Sequence, residues 1–148
     1  MQHHFWRWQR VGWATMALLV LLAVSGVFGD GPLSRATVRA ADGSTLAFSR
    51  VMRAESPERV RISGPTSQAL VTLALDDATL DWLTLETTVP RAVAERRGTA
   101  QLEIDVVPSD AGTVTVELVI VPHTIGSHSM RTKLGDAAWS DVRIVVLP

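Results

Sequence analysis

Two hydrophobic patterns divide the chain. From Val11 to Gly29 no charged residue occurs, and the centre, Met16 to Val24, is nearly pure aliphatic. A helix of that length spans about 28 Å at about 1.5 Å per residue, close to the hydrocarbon core of a bilayer. A soluble core helix shows polar residues at a 3.6-residue period, and this run has none. It therefore predicts a membrane-inserted helix. Trp6, Trp8 and Trp13 cluster at its start with Phe5, where indole rings favour the headgroup region. Arg7 and Arg10 precede it and no acid occurs before Asp30, so the positive-inside rule keeps the N-terminus cytoplasmic. The competing reading is a cleaved signal peptide, with small residues at Ala23, Ser25 and Gly26. Against it, the run is long and rich in Trp at its start. Either way, residues 30–148 are expected outside the cytoplasm, on the periplasmic side of a bacterial inner membrane.

After the Gly29-Asp30-Gly31-Pro32 joint, continuous apolarity gives way to alternation. In Gln101–Val106, Leu102, Ile104 and Val106 point one way, and Gln101, Glu103 and Asp105 the other, which marks a strand with one wet face. Thr113–Val121 repeats the pattern, with Val114, Val116, Leu118 and Ile120 inward. The turn residues from Pro108 to Gly112 make these two a hairpin. Thr37–Ala41 and Thr45–Met52 flank Asp42-Gly43, a favoured hairpin turn. Arg59–Ser63 is a strand carrying Val60 and Ile62 on one face. Leu70–Leu75 and Leu83–Thr88 form another pair, and their connection across residues 76–82 suits a single helical turn. Residues 91–98 read either as a helix or as a charged loop, and Val142–Leu147 is the last strand. Seven or eight short strands at such spacing predict an all-β, antiparallel, immunoglobulin-like β-sandwich. The expected organisation is a tail at 1–10, a transmembrane helix at 11–29, a joint at 30–34 and the sandwich at 35–148.

Composition narrows the chemistry. Fourteen Lys and Arg stand against 15 Asp and Glu, for a net charge of −1, which argues against nucleic acid as a partner. The absence of cysteine excludes disulfides, thiolate metal sites and cysteine nucleophiles. Four histidines are present, and His123 and His128 lie in the stretch PHTIGSHSM. His128 and Met130 are two apart, so in an extended chain they project from one face. Imidazole with thioether suits Cu(I), which makes His123, His128 and Met130 the candidate metal ligands of an alternative, copper-handling reading. That set is small, and the main expectation is a domain without a cofactor. Ser127 and Ser129 neighbour His128, and Ser140 neighbours Asp141, but no G-x-S-x-G elbow accompanies them. Asp76, Asp77 and Asp81 lack the alternating spacing of a calcium loop and read as a solvated turn. Arg50, Arg53, Arg59 and Arg61 fall within twelve residues, a candidate surface for acidic groups of a partner or of lipids. Their alternative is a solvated strand face with Glu55 and Glu58 as counterions.

The string from Gly29 to Ile62 also resembles a family of small, uncharacterised bacterial single-pass proteins. In that family a transmembrane helix leads to G-x-G-P-L-S, then D-G-x-L, an aromatic residue, R-x-x-R and P-x-x-L. The matching positions are Gly29, Gly31, Pro32, Leu33 and Ser34, then Asp42, Gly43 and Leu46, Phe48, Arg50 and Arg53, and Pro57 with Val60. Phe48 stands where tyrosine is common, and the end at Val146 and Pro148 is similar too. The resemblance implies an accessory protein beside a multi-pass membrane protein, YetF-like ones among them, with no reaction and no catalytic residue. The expectation is thus a non-catalytic, membrane-anchored interaction protein that docks on an integral membrane partner.

Overall fold

The computed structural model describes residues 2–24, 34–108 and 112–148. One helix and a β-domain emerge as separate compact units, the second running from Ala36 to Pro148.

The helix α1 (Gln2–Val24) corrects the expected anchor. It begins at Gln2, so the residues assigned to a tail form its first turns and carry Arg7, Gln9 and Arg10. Its uncharged remainder, Val11–Val24, is about 21 Å long at about 1.5 Å per residue, short of a hydrocarbon core of about 30 Å. No helix among the described residues is long and apolar enough to cross a membrane. The expected single-pass, inner-membrane placement is overturned, and with it the bilayer contact through residues 11–29. Residues 25–29, on which the end of that span was drawn, lie outside the described residues. Trp6, Trp8 and Trp13 are exposed along α1. Trp6 carries the Arg10 guanidinium 3.7 Å above its ring, a cation–π pair at the i, i+4 spacing of a helix.

Among the described residues the β-domain is a sandwich of eleven strands in two sheets. In chain order they are β1 (Arg35–Arg39), β2 (Thr45–Ser49), β3 (Val51–Arg53), β4 (Glu58–Pro65), β5 (Val71–Asp76), β6 (Leu83–Val89), β7 (Ala94–Arg97), β8 (Gln101–Val106), β9 (Thr113–Pro122), β10 (Gly126–Leu134) and β11 (Ser140–Leu147). A single-turn helix, α2 (Asp77–Leu80), separates β5 from β6, as the sequence predicts. The five-stranded sheet has the order β1-β2-β4-β9-β6, and the six-stranded sheet β3-β11-β10-β5-β8-β7. The β9 run behaves as read, whereas in β8 Asp105, expected on the wet face, is buried. Val114, Val116, Leu118 and Ile120 of β9 are fully buried, as are Ile104 and Val106 of β8. Val60 and Ile62 of β4, Met52 of β3 and Met130 and Ile144 of the facing sheet complete the centre of the core.

Three connections differ from the expectation. β8 and β9 form no hairpin, because β8 pairs with β5 and β7 while β9 pairs with β4 and β6. β5 and β6 likewise fall in opposite sheets. Turn chemistry closes a hairpin and a sheet-to-sheet crossing equally well, so residue types alone do not separate them. The apolar run from Thr45 to Met52 breaks at Arg50, leaving β2 in one sheet and β3 in the other. There β3 pairs in parallel with β11, so the sandwich is mixed, not purely antiparallel. The Asp42-Gly43 hairpin forms as predicted. Gly43 takes φ +86°, and the Asp42 carboxylate accepts hydrogen bonds from Ser44 N and Ser44 Oγ at 2.9 and 2.6 Å.

Candidate functional site

β10 and the loop before it hold both histidines of the β-domain. His128 stacks on Trp82, with ring centroids 4.9 Å apart and planes 11° from parallel. Trp82 is buried at the rim of the core, and its Nε1 donates to Ser129 O at 3.3 Å. His128 Nε2 lies 3.0 Å from Thr124 O, and His123 Nε2 lies 3.1 Å from Asp81 O. A main-chain carbonyl only accepts, so each of these nitrogens carries its proton and donates. Met130 is fully buried, its thioether enclosed in the core. The rings therefore close the corner where α2, β9 and β10 meet. Among the described residues no group of three or more His, Asp or Glu side chains is arranged to hold a metal ion.

The serines resolve in the same way. Ser129 Oγ donates a short hydrogen bond to the Asp141 carboxylate across the β10–β11 pair. His128 and Ser129 are neighbours on one strand, so their side chains project to opposite faces and cannot share a proton. Two of the three acids of the turn form ion pairs with other strands. Asp76 meets Arg131 at 3.2 Å, and Asp77 meets Arg97 at 3.4 Å. Asp42 is held below its ordinary value of 3.8, first by the Ser44 hydroxyl and then by the Ser44 main-chain N–H. It lines a cleft of about 330 Å³ at one end of the sandwich, with Ser44, Gly64, Thr66, Gln68 and Asp136.

The structure divides the four arginines. Arg50 occupies the crossing between the sheets, and Arg53 sits on β3 at the edge of the six-stranded sheet. Arg59 and Arg61 remain together on β4, two residues apart and on its outward face, since Val60 and Ile62 between and beyond them are buried. Both hold Glu117 of β9, at 3.6 and 3.0 Å.

That outward face of the five-stranded sheet is the feature the sequence reading missed. Pairing places Glu117 beside Arg61, Val119 beside Arg59, Thr87 of β6 beside Val119, and Val89 beside Glu117. Val119 and Val121 are half-buried, and Val89 is 58% exposed. Arg39 of β1 follows on the same face by its alternation with buried Ala36. The signal was present in β9. If Val114 to Ile120 point inward at even positions, Val119 and Val121 must point outward, and a strand normally turns polar groups to water there.

No family model matches the chain, and no curated protein matches it. One solved structure with some likeness is a non-cellulosomal cohesin from the hyperthermophilic archaeon Archaeoglobus fulgidus. It is 9% identical, with a TM-score of 0.42, over 71% of this chain and 91% of the cohesin. By its own strands, the β-domain is a two-sheet β-sandwich of mixed topology.

Proposed function

We propose that this chain is a non-catalytic binding domain that engages a protein partner through the outward face of its five-stranded sheet. The carrying observation is that face itself, where Val89, Val119 and Val121 stand outward beside Arg59 and Arg61. Apolar side chains on a flat sheet, next to a few fixed cations, provide the centre and the rim of a protein interface. His123 and His128 donate to main-chain carbonyls, Ser129 pairs with Asp141, and Met130 lies in the core. The accessory role implied by the family resemblance agrees with this reading.

The test is site-specific photo-crosslinking in the native host. A photoreactive residue at position 119 captures a discrete protein adduct, whereas the same residue at position 127, on the outward face of the other sheet, does not. Equal or absent capture at the two positions overturns the proposal.

A further inference from the structure

The same face specifies the chemistry of what it binds, an inference that rests on the reading just given. We infer that the partner presents an extended acidic segment with carboxylates two residues apart, which take over Arg59 and Arg61 from Glu117.

The argument begins with charge. The protein as a whole is slightly acidic, at −1, yet on this face Arg59 and Arg61 share the single carboxylate of Glu117. Of the other acids on these strands, Glu86 sits in the irregularity of edge strand β6 between Leu85 and Thr87, and Glu58 of β4 alternates to the inward side with Val60 and accepts from Ser49 Oγ. One carboxylate shared by two guanidiniums leaves positive charge uncompensated. On the outward face of the six-stranded sheet, Arg131 meets Asp76, and Arg96 meets Asp105 and Glu103.

Geometry narrows the ligand further. Arg59 and Arg61 share one strand face, so their stems rise about 6.6 Å apart, the repeat of every second residue in an extended chain. An extended segment with acids at alternate positions has the same repeat and places one carboxylate over each guanidinium. Each arginine offers a planar fork of donors that matches a carboxylate in two parallel hydrogen bonds. Glu117 engages them only singly, at 3.6 and 3.0 Å, and their side chains remain 78% and 63% exposed. Exposed pairs of this kind hold weakly and are displaced at little cost. Meanwhile Glu117 keeps both side chains raised over the sheet, which lowers the ordering needed on binding. Val119, beside Arg59 by register, and Val121 receive apolar side chains from the same segment. A nucleic acid or a lipid headgroup layer would use the cations and gain nothing from the valines.

The test uses the full chain and a fluorescein-labelled peptide, Glu-Ser-Glu-Ser-Val-Ser-Val, followed by fluorescence anisotropy. A shuffled peptide with adjacent glutamates is the spacing control. The alternating peptide is expected to bind more tightly than the shuffled one and to weaken as NaCl rises toward about 0.5 M. Combining Arg59→Glu with Arg61→Glu should weaken binding about tenfold or more, since like charges then face each other. Glu117→Gln should tighten it about threefold, by removing the resident competitor. A thermal melt checks that each variant folds, and Arg59→Gln with Arg61→Gln serves if the reversed charges disturb the sheet. The inference fails if the alternating peptide does not bind, if both peptides bind alike, or if neutral arginine replacements leave binding unchanged. It also fails if phosphatidylglycerol vesicles or a single-stranded oligonucleotide displace the peptide at equal charge. Crosslinking at position 119 without peptide binding overturns the acidic segment alone, and absence of both overturns the binding face as well.

Discussion

The edge of the six-stranded sheet hangs on one carboxylate. Asp105 of β8 lies where alternation predicts a wet position, yet its side chain is only 4% exposed. Its two oxygens accept from Thr72 Oγ1 and from Arg96 Nη2, both at 2.6 Å. Arg96 comes from β7, a four-residue edge strand that contributes little to the core. Replacing Arg96 with Ala leaves a buried carboxylate with a single hydroxyl donor. A hydrogen bond to a charged group contributes about 1.5–3 kcal/mol. The Arg96 side chain is 62% exposed, and screening of such a cation brings its share to about 1 kcal/mol. Asp105→Ala removes both bonds and strands the Thr72 hydroxyl, for a loss of about 2–3 kcal/mol. Glu103 lies 3.9 Å from Arg96, so Glu103→Ala should cost almost nothing. The measurement is urea unfolding, read as a shift in midpoint at constant slope. The combined Arg96→Ala and Asp105→Ala variant should fall short of the summed losses by about 1 kcal/mol, the signature of a direct interaction. Strict additivity, or an Arg96→Ala midpoint equal to that of the parent, would refute the reasoning.

Three further outcomes follow from the packing. A methyl group on Gly64 would stand 2.9 Å from Leu134 Cδ2 and 3.2 Å from Ser44 Cβ, so Gly64→Ala should destabilise by about 1–3 kcal/mol by crowding. Leu134→Ala alone opens a cavity, but the Gly64→Ala, Leu134→Ala double variant should cost less than the sum of the two, and strict additivity would count against the crowding. Trp82→Ala should cost about 3–5 kcal/mol by opening the rim of the core, whereas His128→Ala loses the stack and an exposed hydrogen bond to Thr124 O, about 1–2 kcal/mol together. Equal denaturant midpoints for these two variants would contradict the assignment of Trp82 to the core. Ser44→Ala should raise the titration of Asp42 toward 3.8, followed by NMR of its carboxyl carbon. Because the folded value is depressed, the stabilisation is present above the unfolded-state value and lost as pH falls through the folded one. An Asp42 titration unmoved by Ser44→Ala would refute the capping.

What the sequence made legible was the set of positions whose burial follows from period two. The inward residues of β9 and the Asp42-Gly43 turn were read as they occur. The pairing of strands was not legible, because β8 and β9 satisfy a hairpin pattern locally while their partners lie far away in sequence. β10 was overlooked because GSHSMRTKL reads as polar, although Met130, Thr132 and Leu134 alternate inward along it. The charged segment 91–98 became β7 because Arg96 has a carboxylate to reach on β8, a tertiary reason invisible in the segment itself.

The misreading of α1 and the oversight on β9 share a cause. An uninterrupted apolar run such as Val11–Gly29 predicts contact with lipid, and isolated outward residues on a strand carry no such local signal. α1 carries Arg7, Gln9 and Arg10 in its first half and exposes Val11, Trp13, Met16 and Leu18 to Leu21, while outward apolar surface on the five-stranded sheet comes from single residues two apart on a regular strand. Alternation is normally read for what it buries. Its odd members carry equal information, because in a half-solvated sheet each outward valine is an exception to hydration. Val119 and Val121 are such exceptions on one strand, and Val89 extends them to its neighbour. They occur on the same sheet face where two arginines share one acid. Each of these features alone is ordinary surface. Their convergence on one face by hydrogen-bonded register, from three separate parts of the sequence, is why that face and not the histidine corner is where a partner is sought.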